Sequence, residues 1–282
     1  MIPAAFRYER PTSLEEALNL ISQPEAKVLA GGQSLLPLLR LRMAEPELLV
    51  DLQDIPDLQG LSADADGVYI GASVRHTELA ESAPWRILRE AAEVTGDRQV
   101  RRLGTIGGAA AHADPAGDLP AALLALHATV AIAGPGGRRG TPIDGFFLGP
   151  LTTEMAPDEL LIGLRVAAPQ PGSGSSYRKL RQKASGFALA GVGVMVRMEA
   201  GRCVEAGIGV TGVGMAPYSA AAATARLVGT GLENGDIEAA LDLLFEGVEV
   251  QGDLYASADY RVRICRLCAE EAIESARAEA LR

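Results

Sequence analysis

The chain has 282 residues, 48% of them hydrophobic and 22% charged, and its 36 acidic against 26 basic side chains leave a formal net charge of −10. That length and composition suit a globular protein with room for two cores, and an acidic balance without a dense Lys/Arg run excludes the electrostatic footprint of a nucleic-acid-binding protein. No apolar stretch reaches the roughly 18 residues that a membrane-spanning helix needs, and the start Met1-Ile2-Pro3-Ala4-Ala5-Phe6 lacks a charged region followed by an apolar one, so a cytoplasmic location is expected.

The first informative element is the short apolar run Ala26 to Ala30, of strand character, which leads into Gly31-Gly32-Gln33-Ser34-Leu35. A helix is expected over 34–43, with Ser34 as N-cap and Pro37 early enough to be tolerated. A glycine turn running from a strand into a helix converges unpaired backbone N–H groups and the positive end of the helix dipole, which is the chemistry of a phosphate cradle. A small first subdomain closes near Asp51-Leu52-Gln53-Asp54, and a strand follows at 67–72.

The segment from Gln99 to Pro120 reads as one long connection holding a second glycine turn, Thr105-Ile106-Gly107-Gly108-Ala109, together with His112, Asp114 and Asp118. Long loops inside compact domains are usually functional, and two cradles on one chain point to a diphosphate. Helix 121–127 and strands 128–133 and 159–166 come next.

Gln170-Pro171-Gly172-Ser173-Gly174-Ser175-Ser176 reads as a flexible linker. Beyond it, apolar runs at 187–198 and 203–210 form an expected hairpin, and helical patterns at 219–228, 236–245 and 257–281 complete an α+β C-terminal domain. Gly191-Val192-Gly193 and Gly207-Ile208-Gly209 lie inside the hairpin and read as strand glycines that admit close backbone approach. Cys265 and Cys268 share one face of the last helix; with only Cys203 besides, they read as packed thiols, since clusters and structural zinc sites generally take four ligands.

No Gly-x-x-x-x-Gly-Lys-Ser/Thr segment occurs, and neither glycine pair supplies a Gly-x-Gly-x-x-Gly fingerprint after a first strand. The motifs that do occur carry a different resemblance. Ala30-Gly31-Gly32-Gln33-Ser34-Leu35-Leu36-Pro37, with Thr105-Ile106-Gly107-Gly108 and Ala113-Asp114-Pro115-Ala116-Gly117-Asp118, resembles the FAD-binding medium subunit of molybdenum hydroxylases, the group of carbon monoxide dehydrogenase and xanthine dehydrogenase. The likeness spans nearly the whole chain, from the opening strand and helix at 6–17 through Tyr177-Arg178-Lys179-Leu180 into the C-terminal domain.

The resemblance implies an α+β chain: a two-subdomain FAD-binding fold of the vanillyl-alcohol-oxidase (PCMH) type over 1–172, with subdomains of about 1–57 and 58–172, then a CO-dehydrogenase-flavoprotein-like domain over 173–282. It implies FAD contacts at Leu29, Ala30, Gly31, Gly32, Gln33, Ser34 and Leu35, at Thr105, Ile106, Gly107, Gly108 and Ala109, and at Asp114, Asp118, Leu161 and Lys179. The first turn would bind the pyrophosphate, the second would hold phosphate and the region near the flavin, and Lys179 or its competitor Lys183 would face the ring. No catalytic side chain and no metal ligand is implied.

Two positions depart from the pattern: Ala109 stands where the family usually has asparagine, and Ser185-Gly186-Phe187 where many relatives carry an aspartate before the aromatic residue. The implied role is electron transfer within a complex, with a molybdopterin-binding large subunit and a small subunit carrying two iron–sulfur clusters as partners. The alternatives are a self-contained flavin oxidase or dehydrogenase of the same fold, and a scaffold with a degenerate FAD site.

Overall fold

The computed structural model describes residues 2–282. The chain opens with β1 (Arg7–Glu9), α1 (Leu14–Ile21), β2 (Ala26–Leu29), α2 (Leu35–Leu41) and β3 (Leu48–Asp51), whose strands form a parallel sheet in the order β1-β3-β2. The central strand β3 is buried along its whole length, as expected for a parallel strand between two neighbours. Helix α1 is started by Ser13, whose hydroxyl accepts the Glu16 N–H, while the Glu16 carboxylate accepts the Thr12 N–H. It buries Leu14, Ala17 and Ile21 against the rest of the core.

The second unit is an antiparallel five-stranded sheet in the order β4-β5-β10-β6-β7, made of β4 (Leu61–Asp64), β5 (Gly67–Gly71), β6 (Thr129–Gly134), β7 (Gly137–Pro142) and β10 (Leu160–Val166). Helices α3 (His76–Ser82), α4 (Arg86–Val94), α5 (Arg98–Leu103), α6 (Ile106–His112) and α7 (Asp118–Ala125) lie between β5 and β6, and the small hairpin β8 (Phe147–Gly149) and β9 (Thr152–Thr153) precedes β10. The expected long loop over 99–120 is therefore corrected: it holds α5, α6 and the start of α7. Its helices are short and are fixed by local caps and by tertiary contacts: the Asp97 carboxylate caps α5, the Thr105 hydroxyl caps α6, and the Ile106 N–H donates to the distant Val74 carbonyl.

The third sheet, β11 (Ser173–Arg181), β12 (Ala188–Glu199), β13 (Arg202–Thr211) and β14 (Tyr218–Ser219), is antiparallel in that order. The helices α8 (Ala221–Leu227), α9 (Asn234–Leu241) and α10 (Ala258–Ala280) follow. The period-two alternation of strands explains how one sheet serves two cores. Ala190, Val192, Val194 and Val196 of β12 point into a cluster with α8, α9 and α10, while Gly193, Gly207 and Gly209 on the opposite face meet the backbone of α7. A side chain at Gly209 would overlap the Ala121 carbonyl, so the strand glycines admit a close approach, as read from the sequence.

Residues 173–176 of the expected linker are strand, not flexible chain. Gly174, Ser175 and Ser176 are buried. A Cβ on Gly174 would overlap the Ala276 carbonyl of α10, the Ser175 hydroxyl accepts the Ile87 N–H at 3.2 Å, and the Ser176 hydroxyl donates to Glu90 at 3.0 Å. Cys265 and Cys268 are buried in the same cluster as α8 and α9, and burial pushes the Cys268 thiol up to about 11, so it stays protonated at neutral pH.

Candidate functional site

The first glycine turn leaves β2 beside the buried end of β3, where Leu29 is in register with Asp51. Gly32 has φ +71°, a left-handed conformation that glycine adopts without the Cβ penalty. The Leu36 N–H donates to the Gly32 carbonyl at 3.0 Å and opens α2, while the Gln33 amide folds back onto the Gly31 carbonyl at 2.9 Å. Among the described residues, the backbone N–H groups of Gly31, Gly32, Gln33 and Ser34 have no acceptor within the protein. Ser34 occupies the N-cap position as expected, but its side chain makes no capping bond, which leaves its hydroxyl free as well. Unpaired donors grouped in one turn form a nest for an anion.

The second turn is built differently. The Gly107 N–H donates to the Ala72 carbonyl at 3.0 Å, the Gly108 N–H to the Thr105 hydroxyl at 3.1 Å, and the Ala109 N–H to the Thr105 carbonyl at 2.9 Å. Its backbone donors are thus used inside the protein, and the expectation of two equivalent cradles becomes one nest and one buttress. Gly107 is required for packing, since a Cβ there would lie 2.6 Å from the Ala72 Cβ and 2.7 Å from the Ala72 carbonyl oxygen.

The two turns meet. A Cβ on Gly31 would overlap the Leu103 carbonyl oxygen and sit 2.7 Å from Gly104 Cα, and one on Gly108 would be 3.7 Å from Ala30 Cβ. His76 lies under this junction: its backbone N–H donates to the Gly104 carbonyl at 3.0 Å, and its ring is buried beside the Thr105 backbone, with neither nitrogen in a well-aligned hydrogen bond. Burial pushes the imidazole down to about 4.

The remaining expected site residues separate into an outer and an inner pair. Asp114 is partly exposed at the end of α6, where it accepts the Ala116 N–H at 2.8 Å and stands 4.0 Å from His112. Leu161 is buried in β10 in register with Ile132, and the neighbouring Ile162 carbonyl accepts the Ala72 N–H behind the second turn. Asp118 and Lys179 come together, although 61 positions apart, in an ion pair of 2.8 Å whose side chains are 5% and 3% exposed. Asp118 Oδ1 accepts the Tyr177 hydroxyl at 2.7 Å, and Lys179 Nζ also donates to the Gly186 carbonyl at 2.9 Å. Burial pushes the Asp118 carboxyl up, opposed by the Lys179 charge and by the donors around it. Lys183 is exposed and Ala109 is partly buried.

Thr95, Tyr177 and Gly186 carry this inner arrangement without having been marked as site residues. Tyr177 left a trace in the sequence, two residues before Lys179 and therefore on the same side of a strand, and Gly186 stood out only as part of Ser185-Gly186-Phe187. A diphosphate fits the first turn by its donors. Asp118 and Lys179 belong to a buried polar core immediately behind the Asp114–Gly117 loop.

Comparison with known proteins places two families on the chain: "FAD binding domain in molybdopterin dehydrogenase" over residues 4–169, and "CO dehydrogenase flavoprotein C-terminal domain" over 175–276. The carbon monoxide dehydrogenase medium chain of Afipia carboxidovorans is 37% identical, with 99% of each chain covered. The 6-hydroxypseudooxynicotine dehydrogenase complex subunit alpha of Paenarthrobacter nicotinovorans is 34% identical over 98% of this chain and 96% of its own. Among solved structures, a carbon monoxide dehydrogenase from Hydrogenophaga pseudoflava superimposes with a TM-score of 0.94 at 39% identity, covering 99% of each chain.

Proposed function

From the premise that the chain belongs to the FAD-binding family of molybdopterin dehydrogenases, whose members are oxidoreductase subunits, we propose that it is the electron-transfer subunit of such a complex. In this reading a molybdopterin-binding subunit oxidises the substrate, an iron–sulfur subunit relays the electrons, and this chain passes them to an acceptor. The observation that carries it is the nest of unpaired N–H groups from Gly31 to Ser34, closed against the second turn. When bound, FAD supplies a carrier that exchanges both single electrons and pairs.

The chain's own part is to bind and orient. Gly31, Gly32, Gln33 and Ser34 donate to the pyrophosphate, with Leu29, Ala30 and Leu35 as the flanks of the turn. Thr105, Ile106, Gly107, Gly108 and Ala109 hold the opposite side. Asp114, Asp118, Leu161 and Lys179 complete the set, with Lys179 favoured over the exposed Lys183 because its ammonium is held in place by Asp118. Three free cysteines, Cys203, Cys265 and Cys268, suit a reducing compartment, and we place the complex in the cytoplasm.

Purifying the chain alone tests the reading. Bound yellow flavin without turnover of organic substrates is the expected result. Turnover by the isolated chain would make it a self-contained oxidase, and a colourless protein that takes up no added FAD would make it a scaffold.

A further inference from the structure

The loop between β11 and β12 is held from below by the inner ion pair. Residues 182–187 form a tight turn: the Gln182 N–H donates to the Phe187 carbonyl at 2.8 Å, and the Gly186 N–H to the Gln182 carbonyl at 2.9 Å. The Ser185 hydroxyl closes on the Gln182 side-chain oxygen at 2.6 Å, and Gly186 has φ +80°. The Gly186 carbonyl, by contrast, points inward and accepts the Lys179 ammonium at 2.9 Å. Residues 183–185 of the loop are exposed and Phe187 is 51% accessible, so this charge-assisted bond is its anchor to the buried core.

The anchor is itself fixed. Lys179 has its other named partner in Asp118, and the carboxylate is oriented by Tyr177. Burial keeps the Tyr177 hydroxyl protonated and therefore a donor. Thr95 has one hydroxyl proton between the Ala91 carbonyl at 2.8 Å and Asp118 Oδ2 at 3.2 Å, so the shorter contact takes it and Tyr177 is the committed hydroxyl donor to Asp118. The loop in turn forms a wall of a groove of about 360 Å³, where Gln182, Ser185 and Phe187 face Pro115 and Ala116 from the segment leading into Asp118, with Tyr255 on the far rim.

We infer that Lys179 and Tyr177 are positioning residues for the 182–187 loop: Tyr177 sets Asp118, Asp118 sets Lys179, and Lys179 seats the loop through the Gly186 carbonyl, fixing the width of the groove beside the flavin-facing side of the chain. The link to a flavin rests on the proposed function. The seating of the loop does not, and the two fail separately.

Hydrogen–deuterium exchange of the apoprotein, read at the Gln182 and Gly186 amides, tests the seating. Lys179→Met, made in an Asp118→Leu background so that no charge is left buried without its partner, is expected to speed exchange at both by about tenfold, the effect of losing one hydrogen bond to a charged group, while amides in the middle of β12 change by less than about twofold. Lys179→Arg, which keeps a long cationic donor, is expected to restore most of the protection. Tyr177→Phe, which retains the buried ring, is expected to loosen the same two amides to a smaller degree. In the FAD-loaded protein the same variants are expected to shift the visible flavin bands, a signature that a purely structural loss of stability does not produce. Loop amides unchanged in both Asp118→Leu/Lys179→Met and Tyr177→Phe, or speeded no more than β12, overturn the inference, while absence of flavin binding in every variant and in wild type overturns the proposed function and leaves the loop result standing.

Discussion

Gly31 lies against the backbone of Leu103 and Gly104 so closely that a methyl group at Gly31 would overlap the Leu103 carbonyl oxygen. This contact, between residues 72 positions apart, joins the nest to the helix that precedes the second turn. Neither turn alone makes the site, because the first supplies the donors and the second holds the first in place.

Gly31→Ala is therefore expected to separate the turns and to lower FAD affinity by at least about tenfold, equivalent to roughly 1.4 kcal/mol. Gly32→Val, which forces a branched side chain to φ +71°, costs about 1–2 kcal/mol of local strain and is expected to do the same. Titration of apoprotein with FAD, followed by fluorescence quenching, measures both. Wild-type affinity in each variant would remove the first turn from the site.

Gly107 behaves differently, since its N–H is already spent on the Ala72 carbonyl and its missing Cβ makes room for the Ala72 residue. Gly107→Val is expected to destabilise the apoprotein, by about 1–3 kcal/mol or more for overpacking, where a glycine whose part is cofactor contact alone would lower binding and leave the stability of the apoprotein unchanged. Urea unfolding of the apoprotein decides between the two.

The contrast between these glycines shows where the sequence was legible. The strand and helix around Gly31-Gly32 were readable because an apolar run, a glycine pair and a second apolar run lie consecutively. The stretch 99–120 was not, because α5 and α6 are too short to be stable on their own and α6 carries a glycine pair; they are held by the Asp97 and Thr105 caps and, from far along the chain, by the Val74 and Ala72 carbonyls. Ser175 and Ser176 read as linker for the same reason, since their partners on α4 are more than 80 positions away. Asp118 drew notice as a carboxylate of the 99–120 connection and Lys179 through family likeness, and their pairing with each other left no local signal.

That pairing has a measurable energy. Removing one member leaves a charge buried without its partner, so Asp118→Leu is expected to cost about 3–5 kcal/mol of stability. The double variant Asp118→Leu/Lys179→Met replaces the pair with apolar groups and is expected to recover most of that loss. Urea unfolding of the apoproteins, arranged as a double-mutant cycle, reads the coupling. Additive losses would mean the pair does not act as a unit.

His76 gives the pH dependence. Its buried imidazole has a folded pKa of about 4, below the ordinary 6.5. A depressed pKa contributes stability that is fully present above the unfolded value, and that stability is lost as pH falls from about 6.5 through about 4. The loss amounts to about 3 kcal/mol from this residue. His76→Phe keeps a buried ring and forgoes at most the poorly aligned contact of the imidazole with the Thr105 backbone. It is expected to flatten the stability profile over that range while keeping stability at pH 7 within about 1 kcal/mol. Parallel acid dependence in variant and wild type would assign the sensitivity elsewhere.

Assembly supplies the last prediction. Electrons reach a flavin in this reading from a cluster on another chain, and the surface flanking the second turn has the character of a contact: Leu103 is 49% exposed, and Arg75, Arg98 and Arg102 are exposed around it in a chain of net charge −10. Among the described residues, none of these three arginines is ion-paired with a carboxylate, so exposed guanidinium groups accompany the apolar Leu103 side chain, with the Asp97 carboxylate at the start of α5. Leu103→Glu places an acidic group at that centre without touching Gly104 or the turn. In co-expression with molybdopterin-binding and iron–sulfur subunits, it is expected to yield flavin-loaded chain that elutes apart from its partners on gel filtration and is no longer reduced by the substrate of the complex. Co-elution of Leu103→Glu with undiminished flavin reduction would move the contact surface away from the second turn.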